Sequence, residues 1–390
     1  ARQYQASNAR LVARLSEVLT PAFEERFCAA FPPRPSAEER RPLRWLHFPK
    51  CGTTFFNTVY RYACRSGGDE YVGRRTPEAW RGVATNRSVL DVAALGRCAQ
   101  RVCPRNHSFA ASKDLAKQIS SWATHEPLKQ ARRLDATVAT LFRSPSQRLL
   151  SAYYFGRHLW GSEMKGPRIG SKYFVHWRAR VAKFATTPRL FATTPGVDGC
   201  FAKMINGCYC ASRVHPKWNF TAPLVVACPY RWRKMDSSFV ENAAARVADF
   251  AFVGLQDFFN VSTCLFHRRF GGPIHAASEF AKFNLSPKRP RSDDNNKVPS
   301  SSYRISHHTS AEAATRRWDE GALLDFVDVY DEQVFAAALD RFLRDLKSET
   351  RKLLSESEYD ERKEEDANNH NDDNALRRLV SPVLAVERDA

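Results

Sequence analysis

The chain has 390 residues, 43% of them hydrophobic and 26 of them phenylalanine, which is enough apolar material for one large α/β domain with extensions. Lysine and arginine (60) outnumber aspartate and glutamate (42), and the net charge of +18 suits anionic ligands. The basic residues are spread out except at Lys288–Arg291, and no zinc-finger spacing, RNP aromatic motif or basic-region heptad accompanies them, which excludes the common nucleic-acid modules.

In chain order, residues 1–40 read as a stem helix and a Pro-rich linker. Leu11, Val12, Leu15, Val18 and Leu19 give that helix an apolar stripe, which either belongs to a stem or packs on the domain. Residues 41–345 read as the α/β domain, with strands expected near 44–48, 137–142 and 249–253.

The first strand runs into the turn Pro49-Lys50-Cys51-Gly52-Thr53-Thr54, and a helix follows with apolar positions at Phe55, Phe56, Val59, Tyr60 and Ala63. A strand, tight turn and helix start together aim backbone N–H groups at one spot, which attracts an oxyanion such as phosphate or sulfate. Lys50 adds a point charge, and Thr53 and Thr54 add hydroxyl donors. The turn is not a Walker A loop, because Lys50 precedes Gly52 instead of following a glycine. His47, on the first strand, is expected either to pack in the core or to support the site residues from behind.

The second strand ends at Arg143, the end where open α/β sheets make ligand contacts. Ser144 suits a helix N-cap, Pro145 the first helical position, and Gln147 completes a capping box. Ser151 lies about two turns into that helix. An arginine fork with a serine hydroxyl is a good receptor for a second phosphate. The third strand leads into Phe252-Val253-Gly254-Leu255-Gln256-Asp257-Phe258.

Asn284–Ser302, rich in Pro, Ser, Asn and charge, reads as a mobile loop. A helix near 310–345 repeats apolar residues at Leu324, Val327, Val334, Phe335, Leu339 and Phe342, which marks core packing. Residues 346–390 turn acidic and read as a charged tail, disordered or loosely helical.

The chain carries ten cysteines, none in a C-x-x-C pair, and the group Cys200, Cys208, Cys210 and Cys228 lacks zinc spacing. Disulfides are expected instead, at Cys98/Cys103 and within the 200–228 group. Sequons stand at Asn86, Asn106, Asn219, Asn260 and Asn284, with Asn260 in an expected helix. Cysteines and sequons together favour a secretory-pathway lumen.

Three of these segments resemble the sulfotransferases that use 3′-phosphoadenosine 5′-phosphosulfate (PAPS). Pro49-Lys50-Cys51-Gly52-Thr53-Thr54 is similar to their 5′-phosphosulfate loop. Arg143-Ser144-Pro145-x-x-Arg148-x-x-Ser151-x-Tyr153 is similar to their 3′-phosphate motif, usually R-[DN]-P-x-x-R-x-x-S-x-Y. Phe252–Phe258 is similar to the late F-x-G-L-x-E-x-F segment of the Golgi carbohydrate branch, which includes uronyl 2-O- and galactose 3-O-like enzymes. The segments stand in family order and cover roughly residues 41–345. Ser144 replaces the usual Asp or Asn, and Asp257 the usual Glu.

The resemblance implies a P-loop NTPase-like sulfotransferase fold, with a central parallel sheet flanked by helices. It implies PAPS as sulfuryl donor without a metal, bound by Lys50, Cys51, Gly52, Thr53, Thr54, Arg143 and Ser151. Ala123-Thr124-His125-Glu126-Pro127-Leu128 occupies the place of a G-H-x-P-L-like segment, so His125 becomes the expected base, with Glu126 as runner-up. Lys50 and His125 are then the catalytic pair, acting in an in-line displacement on a glycan or glycoconjugate hydroxyl. Residues 156–235 become the acceptor-side insert, with Arg157, His158, Lys172 and Arg178 as weak candidates beside their plain reading as solvated charge. Residues 284–302 would close over PAPS. The family's usual setting is the Golgi lumen as a type II membrane protein, with an N-terminal anchor expected outside this chain. The alternative is a basic, non-catalytic glycan- or nucleotide-binding protein that keeps the fold. Neither reading involves a nucleic-acid partner.

Overall fold

Three short strands, β1 (Arg44–Leu46), β2 (Val138–Phe142) and β3 (Phe252–Leu255), form a parallel sheet in the order β1-β2-β3. Arg44 pairs with Val138 and Ala139 with Phe252, so β2 and β3 end level and β1 ends two residues short of them. All of β2 and β3 is buried, the pattern of parallel strands covered on both faces. The computed structural model describes residues 2–29, 31–32, 43–52, 55, 58–59, 62, 127–128, 132–154, 185–194, 196–208, 210, 235–272, 274, 279, 318–363 and 371–387.

Helices α1 (Arg2–Val18) and α2 (Pro21–Phe27) precede the sheet. Between β2 and β3 come α3 (Pro145–Tyr154), α4 (Pro188–Ala192), α5 (Cys200–Ile205) and α6 (Ser237–Ala248). After β3 follow α7 (Phe259–Phe270), α8 (Val329–Lys363) and α9 (Asn371–Ala385). Both α7 and α8 pack on β3, so the protein is mixed α/β with helices flanking a small parallel sheet.

Aromatic residues fill the space around the strands. Phe48, Phe142 and Phe201 meet at ring-centroid distances of 4.7 to 5.0 Å. Phe55 stacks on Phe252 at 5.5 Å, and Phe266 closes edge-on against both. Each such pair adds about 0.5–1.5 kcal/mol beyond the area it buries. Deeper in, Arg246 grips Asp135 with two hydrogen bonds of 2.6 and 2.8 Å, fastening α6 to the turn that enters β2. This is the bidentate arginine–carboxylate geometry, the strong form of a buried ion pair.

The N-terminal helices pack on the domain. Leu11, Val12 and Leu15 of α1 are buried, and Asn8 Nδ2 donates to the Glu332 carbonyl (2.9 Å) and carboxylate (2.8 Å) of α8. Thr20 caps α2 by accepting from the Phe23 N–H. A disulfide joins Cys28, at the end of α2, to Cys264 in α7. A second joins Cys200 to Cys210, inside the cysteine group singled out in the sequence. Cys98 and Cys103 lie outside the described residues.

Three boundaries differ from the sequence expectation, and one is the long helix expected near 310–345: it begins at Val329, while Leu324 lies outside it, exposed and with φ 46°. The third strand begins at Phe252 and not at 249, because Asp249 and Phe250 donate their N–H groups back to Arg246 and Val247 and finish α6. The acidic stretch beyond 346 is helical over 346–363 and 371–385, and Leu346, Leu353, Leu376, Val380 and Val383 enter the core. Asn260 stands in the first turn of α7 with its amide on Glu24 (2.6 Å), and Ser262 of the same sequon is buried against the Leu255 backbone. No described helix is long and apolar enough to cross a membrane.

Candidate anion-binding site

The strand ends bring three loops to one edge: His47–Gly52 after β1, Arg143–Ser144 after β2 and Gln256–Phe258 after β3. The first is the tight turn that the sequence singled out. Cys51 donates its N–H to the Phe48 carbonyl (3.1 Å), and Phe55 to that of Gly52 (3.0 Å). Lys50 (φ 70°) and Gly52 (φ 64°) both take the left-handed conformation. For glycine this costs little. For a lysine it is uncommon and persists only where the surroundings fix it.

Gly52 is there for space as well. A Cβ at this position would stand 2.3 Å from Leu141 Cδ1 and 2.7 Å from Gln256 Oε1. The loop therefore lies directly against the end of β2 and the turn after β3. Cys51 is fully buried, and burial pushes its thiol up to about 12, so it is neutral and not a nucleophile.

Lys50 is half-buried, and its pKa falls to about 7, first through desolvation and second through the positive charge of Arg143. Arg143 directly follows β2, and Lys50 stands in the turn four residues beyond the end of β1. Both also have partners within the protein.

Behind Arg143, the backbone N–H of Ser144 donates to Asp257 Oδ2 at 3.5 Å and ties the second loop to the third. The expected capping box does not form. The Ser144 hydroxyl meets Ser146 Oγ at 2.8 Å, while the Gln147 side chain turns away to the Trp318 backbone and Glu320. Gln147 thereby docks the segment entering α8, where Trp318 stacks on Tyr154 at 4.3 Å.

Ser151 is buried on α3, one turn after Gln147 and one before Tyr154 on the same helix face, and its hydroxyl bonds no described residue. Arg148, in the same motif, faces the interior. It is fully buried between Asp328 and Asp331 of the α8 start (3.4 Å each) and lies over the Phe201 ring. The two aspartates also accept the N–H groups of Gly199, Phe201 and Ala202 at the start of α5. Arg148 is therefore a structural cation.

His47 is buried and stacks on Trp45, as a packing residue does. His125, Glu126, Thr53, Thr54, Arg157, His158, Lys172, Arg178 and the 284–302 loop lie outside the described residues. Among the described residues no cluster of three His, Cys, Asp or Glu side chains is arranged to hold a metal. Gln256 is a contact to the first loop that sequence reasoning passed over. The signal for it was its position, directly after the third strand.

Comparison of the chain with protein-family models, curated proteins and solved structures gives no match.

Proposed function

We propose that the chain is a PAPS-dependent sulfotransferase that modifies a carbohydrate hydroxyl, built on a P-loop-like sulfotransferase fold. The observation that carries this reading is the left-handed Lys50–Gly52 turn packed directly against Leu141 of β2, the strand that ends in Arg143. Lys50 in that turn and Arg143 after β2 would offer one positive group to each phosphate of a doubly phosphorylated nucleotide.

The residues present fit such a donor. The left-handed turn at Lys50–Gly52 lets backbone approach an oxyanion closely, and Gly52 has no room for a side chain. The Ser151 hydroxyl, buried and unbonded among the described residues, is available as a second donor. When bound, PAPS supplies a sulfuryl group attached to a phosphate leaving group.

Lys50, with the Cys51, Gly52, Thr53 and Thr54 backbone and hydroxyl donors, would hold the charge that develops at the leaving phosphate oxygen. Arg143 and Ser151 would hold the 3′-phosphate. His125 would take the proton from the attacking sugar hydroxyl. The disulfides at Cys28–Cys264 and Cys200–Cys210 support an oxidising compartment, in keeping with the Golgi lumen.

Incubation of the full chain with labelled PAPS and a panel of glycans tests this reading, and label is expected on a carbohydrate. Tight binding of adenosine 3′,5′-bisphosphate (PAP) without transfer to any glycan, protein or small alcohol would make the chain a nucleotide-binding protein and end the enzyme assignment.

A further inference from the structure

Of the five sequons in the chain, Asn260-Val261-Ser262 is the one that falls among the described residues, and its two reactive side chains face opposite ways. Asn260 is exposed on the first turn of α7. Its Nδ2 donates one hydrogen bond, to Glu24 of α2 at 2.6 Å, and its second N–H bonds no described residue. Ser262 is fully buried. Its hydroxyl accepts the Leu255 N–H (2.8 Å) and donates to the Leu255 carbonyl (3.0 Å), which holds α7 against the end of β3.

Glycosylation of an Asn-x-Ser sequon reads the asparagine amide and the serine hydroxyl together. Once α7 has formed, the two cannot be read together. Residues two apart on a helix point about 200° away from each other, and here one is in solvent and the other in the core. A glycan at Asn260 therefore has to be added before the helix forms.

The fold leaves an interval for that. Helix α7 has 12 residues, a length that is marginal in water until other elements pack on it. One of its packing partners, α8, begins only at Val329, so the sequon is made well before the helix is secured. Cys264, whose bond to Cys28 fixes the same helix, also follows the sequon in the chain. Folding then accommodates the product. Asn260 stays exposed, and a glycosylated amide keeps one N–H, which is all that the bond to Glu24 uses.

We propose that Asn260 is an N-glycosylation site, modified on the unfolded chain before α7 and the Cys28–Cys264 bond form. The donor is an oligosaccharide linked to a lipid pyrophosphate. Its sugar C1–O bond breaks and a C1–Nδ2 bond forms, the pyrophosphate leaves with the bonding electrons, and Nδ2 gives up one proton. The modification rests on the lumenal setting of the sulfotransferase reading, which the two disulfides support, and on nothing else in that reading.

The test is peptide mass spectrometry after enzymatic deglycosylation in heavy-oxygen water, which turns a glycosylated asparagine into a heavy aspartate. Heavy label is expected at position 260 in protein isolated from its own cells and in the full chain produced with a secretion leader. Its absence from either overturns the site. Asn260→Gln keeps a side-chain amide and is expected to run lighter by one glycan with an unchanged thermal midpoint. An unshifted mass also overturns the site. The order of events is tested with oligosaccharyltransferase and lipid-linked oligosaccharide. Glycan-free chain that has been folded and oxidised should stay unmodified at Asn260, and the same chain reduced and unfolded should be modified. Equal modification of the two overturns the order. Transfer from PAPS is read separately, so its absence ends the enzyme reading without bearing on Asn260.

Discussion

Lys50, already pushed down by burial, is pushed further by the Arg143 guanidinium at the end of the neighbouring strand, and its pKa comes to rest at about 7. The ordinary value is 10.5. An anion at the turn would favour the charged form of that lysine, which burial and the Arg143 charge disfavour.

The first prediction follows from that lysine. An anion at the turn restores the proton to Lys50, so PAP binding near pH 8 should take up about one proton, read as a dependence of the calorimetric heat on buffer ionisation enthalpy. Affinity should fall roughly tenfold per pH unit between about 8 and 9. The free protein should behave in the opposite sense. Between about 7 and 10.5 the unfolded lysine holds its proton and the folded one does not, so this group adds stability as pH rises. Lys50→Met should abolish both effects, and a flat binding profile from pH 6 to 9 would count against them.

The catalytic assignments make a second set of expectations. Lys50→Ala should remove a preorganised donor and cost about 10²–10³ in turnover. His125→Ala should cost about 10²–10⁴, as loss of a general base does. Arg143→Ala should mainly weaken PAPS binding, with a raised KM and a smaller change in kcat. Wild-type turnover by a folded His125→Ala protein would take His125 out of the mechanism.

A third prediction concerns Arg148, enclosed between Asp328 and Asp331. Burial, and then the neighbouring Asp331 charge, push Asp328 up to about 8. Its folded form therefore keeps a proton that the unfolded chain gives up near 3.8, and this contribution to stability is full at low pH and lost as pH rises toward 8. Arg148→Met strands the two carboxylates, which should cost about 3–5 kcal/mol at pH 8. The loss should shrink at pH 5, where Asp328 is protonated. Urea unfolding at the two pH values measures it, and an equal loss at both would refute the account.

Gly52→Ala provides a fourth. The left-handed backbone alone costs an alanine about 1–2 kcal/mol, and the added methyl must displace Leu141 or Gln256 besides. Chemical denaturation should register at least that loss, and PAP affinity should fall with it. A variant of unaltered stability would mean that the turn relaxes at no cost.

The sequence made some of this visible, because local patterns determine part of it. The largely apolar segments at 44–46 and 138–142 are strands that lead to Lys50 and Arg143, and β2, in which only Thr140 is polar, is buried at every residue. The third strand begins later than expected because the apolar run starts at Phe250, and only the hydrogen bonds that close α6 show where helix gives way to strand. Gln147 fits a capping-box spacing, yet Trp318, 171 residues away, takes its side chain. No short-range rule encodes that competition. Leu376, Val380 and Val383 follow a helical period that was legible, but the charged residues before them dominated the reading of the tail. Cys28 gave no hint of Cys264, since spacing along the chain does not reveal pairing across it.

That last bond has a consequence for how the protein is made. Cys28 and Cys264 are 236 residues apart, and both strands of the anion-loop pair, β1 and β2, lie between them. A chain synthesised from its N-terminus exposes Cys28 long before its partner exists, so the early thiol must wait, or pair wrongly and be released, while most of the domain emerges. The bond can be sealed only after β3 has been added. It acts as a seal of completion, and molecules that carry it have already brought the sheet's three strands out of the ribosome.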